Sequence, residues 1–559
     1  MLVRERAIEA LAGERFDVAV IGGGITGAGV ALDAASRGHS VALVEKADFS
    51  SGTSSRSSKL VHGGLRYLQS FDLGLVREAL LERRLMVKLA PHLVTPLALV
   101  VPAFAGAKPD RLTGIGLNMY DVMATTPLRH RRSVRRAALE AGEDPDSDWS
   151  PARHRVISGA EVTELLPALG GRDPTGGYLF YDCQTDDVRL VLSVLGEAER
   201  FGAICANRLE VVELVQEGGH SAGITVRDAE TGHEFRVQAD NIVNATGVWA
   251  DRIRPEELHS EAEVPNILPS RGTHIMLAYH DLPLLAGAVV PAGEDRTIFA
   301  LPWLGRSLIG TTDNNYEGGI DHVRPPPEDI EYLLRATNSF FGTSLGTEHL
   351  TGAYAGVRPL ISTGDTRKSV DISRKAELYE TSSGLITITG GKLTTWRRMA
   401  KMAVDRLVER EGRTAPCRTH EIPLGEPVDP QRLAAVEGVA QASYAALAAR
   451  YGHAARHVLQ TAAQDGELPT AMLAGFPDLL AEAPFSARHE QARSVADVLL
   501  RRTRLGLVAG RELCSPANPT PLRVAQAMGE ELGWDEQRIV AEVERFRREA
   551  QEEGIGAEP

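Results

Sequence analysis

Three glycines, at positions 22, 24 and 27, stand in the pattern Gly-x-Gly-x-x-Gly behind a short apolar run and ahead of a stretch that reads as helix. Such a turn serves a diphosphate. The first glycine permits the bend, the second lets backbone amides approach an oxyanion, and the third lets helix and strand pack closely. The helix that follows turns its positive N-terminal end toward the same anion. Glu45 ends the next apolar run, roughly 20 residues on, where a carboxylate accepts hydrogen bonds from a ribose; Lys46 stands beside it.

This arrangement predicts a dinucleotide site. The segment SSGTSSRSSKL (50–60) follows, crowded with hydroxyls. Thr53, Ser54, Ser58, Lys59 and Leu60 fall within it, and hydroxyls and turn amides suit a diphosphate and a ribityl chain. On composition alone the stretch reads equally as a serine-rich linker. Two more strand ends stop at glycine: ATG at 245–247, which ends on Gly247, and GGKLTT at 390–395, which holds Gly391, Lys392, Leu393 and Thr394. One cofactor touched by three distant strand ends is long, which favours FAD over NAD.

The elements that must position these residues can be read around them. Residues 16–21 (FDVAVI) form an apolar β-branched run, as a fully buried parallel strand does, residues 25–37 read as helix and 40–45 as the second strand. Residues 241–247 and 385–392 read as later returns to the same sheet, and 271–312 as strands of an inserted antiparallel sheet. Past about residue 414 the chain turns to Ala-, Leu- and Arg-rich helices, expected at 430–451, 489–507 and 535–552. The expected fold is α/β: a doubly wound, Rossmann-like FAD-binding domain over 16–413, an interleaved antiparallel substrate-binding sheet mainly from 85–180 and 260–350, and a helical C-terminal domain over 414–559. The polar stretch 129–155 reads as a surface insertion.

Composition excludes several functions. A net charge of −14 argues against nucleic-acid binding. Four dispersed cysteines without a Cys-x-x-Cys pair suggest neither a disulfide framework nor a zinc or iron–sulfur site, so no metal is expected. The mixed first 16 residues do not read as a signal peptide, and 89–101 carries prolines and a histidine and does not read as a spanning helix. These features point to the cytoplasm.

Six segments carry a resemblance: SSKLVHGGLRYL (57–68), YDCQTDDVRL (181–190), RTIFALPW (296–303), IGTTD (309–313), YAGVRPL (354–360) and TGGKLTTW (389–396). In this order they resemble the FAD-dependent glycerol-3-phosphate dehydrogenase family, over about 16–408, and RRTRLGL (501–507) resembles that family's helical C-terminal domain. The resemblance implies oxidation of sn-glycerol 3-phosphate to dihydroxyacetone phosphate, with hydride passed to the flavin. It makes Arg296 and Arg358 phosphate clamps, since a guanidinium fork binds two oxygens at once. Arg66 and Lys392 match its cationic site positions, Lys392 serving either the flavin or the substrate. His62 is the candidate base, with Gly63 and Gly64 leaving room beside it, or else a flavin contact. Tyr67 and His274 are candidates for binding or proton handling, and Thr312 and Asp313 read as turn and positioning residues.

The family's usual acceptor is a quinone at the cytoplasmic membrane, and some relatives use oxygen. RHRRSVRR (129–136) and RRTR (501–504) are candidate lipid-facing patches, although charge runs usually mark solvated faces. Peripheral contact with the inner face of the cell membrane is the expectation, and a homodimer stays open. The competing readings are an oxygen-using oxidase, an FAD-dependent amine or amino-acid oxidoreductase, and a flavin-binding scaffold without activity.

Overall fold

The computed structural model describes residues 3–64, 73–124, 152–255, 258, 260–293, 296–362, 375–464 and 466–556. Two sheets carry the architecture. In the first, Arg15–Ile21 lies between two parallel neighbours, Val41–Val44 and Glu234–Asn244. Ile386–Gly390 adds in parallel beyond Glu234–Asn244, Ala376–Glu380 closes that edge antiparallel, and Ile204–Ala206 closes the other. The two segments read as returns therefore do join the first strand's sheet, side by side on one flank of it. The helix after the glycine turn spans Ile25–Ser36 and the second strand Val41–Val44, each slightly inside the expected bounds.

Helix Ile25–Ser36 packs between Asp187–Arg200 and Trp396–Arg410 in one apolar core. Gly29 explains the closeness: a Cβ there would lie 2.6 Å from the Trp396 ring. On the opposite face, helix Arg4–Gly13 packs on Ile204–Ala206 and Glu234–Asn244, shares an apolar core with the hairpin of Leu209–Glu217 and His220–Asp228, and buries Arg4 against Asp228.

The second sheet joins Asn314–Asn315, Ile267–Ala278, Arg306–Gly310, Thr297–Trp303, Gly287–Pro291, Thr95–Ala103, Gly176–Gln184 and Leu60–Val61 in that order. Leu350–Ile361 runs along Ile267–Ala278, and Arg155–Ser158 pairs with Gly176–Gln184. Every pairing is antiparallel except that of Gly287–Pro291 with Thr95–Ala103. The sheet also extends past the spans expected for it. Leu60–Val61 is too short to show a period, and Leu350–Ile361 is buried along most of its length, so it does not alternate.

The C-terminal part is helical, with corrections to two of the three expected helices. The stretch 430–451 contains only a short 3₁₀ turn, Pro430–Arg432, and helix Gln441–Tyr451, with Gly438 at φ +85° between them. The stretch 489–507 breaks into the end of helix Glu482–Glu490, a π-helical turn at Asp497–Arg502 and a short helix at Leu505–Val508; Gln491 and Arg504 stand in left-handed conformations. The RRTR run is likewise neither a lipid-facing patch nor a solvated face. Arg501, Arg502 and Arg504 are buried and paired with carboxylates. Among the described residues no helix is long and apolar enough to cross a membrane.

Candidate active site

A cavity of about 810 Å³ lies at the carboxyl ends of the parallel strands and is lined from both sheets. Its first wall is the glycine turn. Gly22, at φ +109°, donates its N–H to the Val44 carbonyl at 2.8 Å, and a Cβ there would meet the Ala245 carbonyl. A Cβ on Gly27 would lie 1.9 Å from the Gly22 carbonyl, so this glycine seats helix on strand and does not line the cavity. Gly24 differs from both. It lines the cavity, and the nearest atom to a Cβ there is Ser54 Oγ at 3.1 Å. Ser54 Oγ itself accepts the Ile25 N–H at 3.0 Å, tying the hydroxyl-rich segment to the helix N-terminus.

Glu45 accepts the N–H groups of Gly23 at 2.7 Å and Ala47 at 2.9 Å, and burial raises its pKa against the lowering pull of those amides. Lys46 pairs with Asp321 and lies over the Trp249 ring, 4.5 Å from its centroid. The serine-rich segment is folded onto the site and is not a linker. Thr53 donates to the Val357 carbonyl at 2.6 Å, and Ser58 Oγ meets His274 Nε2 at 2.8 Å. The remaining wall is the turn at Gly390 and Gly391, both at positive φ, where Thr394 Oγ1 accepts the His62 N–H at 3.2 Å.

Arg358 stands near the end of strand Leu350–Ile361 and also lines the cavity. Its guanidinium donates to Thr311 Oγ1 and the Thr312 carbonyl, both at 3.2 Å, and to Asp313 Oδ1 at 3.5 Å. Asp313 in turn accepts Ser270 Oγ at 2.6 Å. Gly272 makes space for the fork, since a Cβ there would fall 2.5 Å from Arg358 Nη2. His274, buried and stacked on Tyr354 with centroids 4.8 Å apart, has a pKa well below the ordinary histidine value, through burial first and then the charges of Lys59 and Arg358. It is a neutral imidazole at pH 7.

A family model described as "FAD dependent oxidoreductase" matches residues 17–406, and one described as "C-terminal domain of alpha-glycerophosphate oxidase" matches 417–539. Glycerol-3-phosphate dehydrogenase 1 of Mycobacterium tuberculosis (strain ATCC 25618 / H37Rv) is 40% identical over 528 residues, which cover 90% of this chain and 94% of that protein. The chain belongs to the FAD-dependent glycerol-3-phosphate dehydrogenase family. Aerobic glycerol-3-phosphate dehydrogenase of Bacillus subtilis (strain 168) is 34% identical, over 90% of this chain and 89% of its own length. The glycerol-3-phosphate dehydrogenase of Bacillus halodurans, solved in complex with FAD, matches with a TM-score of 0.74 at 28% identity, covering 100% of this chain and 98% of its own.

FAD is therefore the cofactor, and the cavity fits it, with a glycine turn open at Gly24 at one end and the Gly390–Gly391 turn on another wall. Of the residues picked out in the sequence of this family member, Gly22, Gly24, Glu45, Lys46, Thr53, Ser54, Ser58, Leu60, Gly247, Gly391, Leu393 and Thr394 line the cavity. So do His62, His274, Arg358 and Lys392. Lys59 is a correction: its ammonium is fully buried away from the cavity, donating to the Ser55 carbonyl at 2.6 Å and Asp187 at 2.7 Å. Arg296 does not line the cavity either, whereas the neighbouring Thr297 does. Arg66 and Tyr67 lie outside the described residues.

Several lining residues escaped the sequence reading. Leu209 and Val211 belong to the hairpin, and Phe180 and Phe299 to the second sheet. Asp182 accepts Tyr120 Oη at 2.7 Å and pairs with Arg83. It sits inside the YDCQTDDVRL segment, the one signal that could have drawn attention to it.

Proposed function

We propose that this protein oxidises sn-glycerol 3-phosphate to dihydroxyacetone phosphate and passes the electrons to a quinone in the cell membrane. The observation that carries the substrate is Arg358, a guanidinium set in the cavity wall by three acceptors in front of a side-chain-free Gly272. A planar fork fixed in this way suits a phosphate dianion. Lys392, on the glycine turn that also lines the cavity, adds positive charge for the developing alkoxide or the cofactor. FAD, when bound, accepts the hydride. The hydroxyl proton then falls to His62, because the neutral His274 is held to Ser58 and is too weak a base.

The quinone reading rests on helix Arg111–Ala124. Thr113 lines the cavity, and Leu117 and Tyr120 face inward. Its outer face carries Leu112, Ile115, Met119 and Val122 at 76%, 58%, 38% and 70% exposure, a stripe of one helical face. Lys108 and Arg111 flank the stripe at its start, and in sequence the helix precedes RHRRSVRR, in a chain whose net charge is −14. An apolar face bordered by cations fits an anionic bilayer. The full-length protein should sediment with quinone-loaded vesicles containing phosphatidylglycerol and reduce their quinone. Leu112→Gln with Val122→Gln should lower both by about tenfold or more, while turnover with a soluble dye is kept. Stoichiometric hydrogen peroxide with quinone present would contradict the acceptor, and unchanged sedimentation of the double variant would contradict the surface.

A further inference from the structure

The segment 50–58, which supplies much of the cavity wall, is anchored at both ends by the C-terminal helices. Upstream of it, Asp48 accepts Arg501 Nε at 2.8 Å and Arg502 Nη1 and Nη2 at 2.7 and 2.9 Å. Within it, Arg504 Nη2 donates to the Ser55 carbonyl at 2.7 Å, and also to Asp187 at 3.1 Å, the residue that holds its downstream end. The other oxygen of Asp187 takes Ser57 Oγ and Lys59 Nζ, both at 2.7 Å. Asp48, Lys59, Asp187, Arg502 and Arg504 are all 0% exposed.

The backbone at this junction is unusual. The arginines leave a π-helical turn at Asp497–Arg502, and Arg504 follows at φ +69°. Ser50 and Lys59, near the two ends of the segment they hold, stand at φ +65° and +59°. Left-handed conformations of residues other than glycine persist where surrounding contacts over-determine them, and π turns recur at functional sites. A buried ion-pair network is weak evidence of stability, because apolar replacements of the same volume often stabilise as well. What this network does supply is one defined path for the loop.

We propose that Arg501, Arg502 and Arg504 are positioning residues for FAD. Through Asp48, Asp187 and Ser55 the C-terminal helical part sets the cofactor-lining loop in its binding conformation. The loop's own hydrogen bonds to the rest of the site, Thr53 to Val357 and Ser58 to His274, depend on that path. Arg56 adds a further tie, donating to the Ala355 carbonyl at 3.1 Å and pairing with Glu553 beyond the last helix. The inference concerns FAD alone and stands or falls independently of the substrate reading.

The test uses full-length protein stripped of FAD and titrated with FAD by flavin fluorescence, with hydrogen–deuterium exchange of 50–58 followed in the stripped form. Arg504→Met should weaken FAD binding by about tenfold or more, the size expected for losing a buried charge-assisted hydrogen bond, and should speed exchange across 50–58. Arg37→Met removes another buried guanidinium, paired with Asp33 and Asp405 and away from the loop. It should lower the melting temperature yet leave FAD affinity within about twofold of wild type, since its partners do not touch the cofactor wall. Arg504→Lys keeps the charge without the fork and should fall between wild type and Arg504→Met; if the methionine variant is insoluble, wild-type exchange protection and wild-type affinity in Arg504→Lys would overturn the proposal. Equal loss of FAD affinity in Arg504→Met and Arg37→Met would also overturn it, because the effect would then be general destabilisation.

Discussion

Gly24→Val should yield a folded, colourless protein. The backbone at Gly24, φ −82°, is one that valine adopts without strain. The added methyls would extend from a Cβ whose nearest neighbour is Ser54 Oγ, into the space left for the cofactor's diphosphate. FAD affinity should fall by at least about a hundredfold, from overpacking together with loss of the close backbone approach. The comparison that isolates this cause is Gly27→Val. Its Cβ would lie 1.9 Å from the Gly22 carbonyl, so it should unseat the helix and lose the fold along with the cofactor. Far-ultraviolet circular dichroism and the flavin-to-protein absorbance ratio separate the two outcomes. A yellow Gly24→Val would remove the glycine turn from the cofactor site.

Arg358→Ala should bind FAD normally and demand far more substrate. Truncating one partner of a buried, hydrogen-bonded charge pair costs about 3 kcal/mol, on the order of a hundredfold in the concentration of glycerol 3-phosphate that half-reduces the flavin. Asp313, which the arginine contacts, keeps Ser270 as a partner, so the fold should hold. His62→Asn should behave in the opposite sense, with the half-reducing concentration near wild type and the reduction rate at saturation down roughly a hundredfold or more. Stopped-flow flavin reduction reads both quantities at once. Wild-type concentration dependence in Arg358→Ala would refute its clamp role, and an unchanged saturating rate in His62→Asn would move the base elsewhere.

The parts of this site that were legible in the sequence are those governed by local rules. The turn of Gly22, Gly24 and Gly27 declares itself because each glycine answers a separate steric demand within a few residues. The strand ends at Gly247 and Gly391 were visible because apolar runs stopped by glycine mark strand-to-turn changes. Arg358 came from a matched segment, and its setting by Thr311, Thr312 and Asp313 could not have been read from spacing alone. What stayed hidden depends on tertiary pairing. Lys59 looked like a cofactor contact among hydroxyls, yet its partner Asp187 lies 128 residues away. The arginines 501–504 looked like a charge run, yet Arg502 reaches Asp48, 454 residues away, and Arg504 reaches Asp187, 317 residues away. Propensity and periodicity carry no information about such contacts, which also broke the expected helix over 489–507.

The central claim is that this cavity brings glycerol 3-phosphate to bound FAD, and anaerobic titration of the purified yellow protein tests it most directly. With oxygen excluded and no acceptor added, glycerol 3-phosphate should bleach the flavin absorbance stoichiometrically, with dihydroxyacetone phosphate formed in equal amount. A spectrum that stays oxidised, in folded protein with FAD bound, would contradict the account; bleaching by glycine or sarcosine in its place would assign the same cavity to an amine.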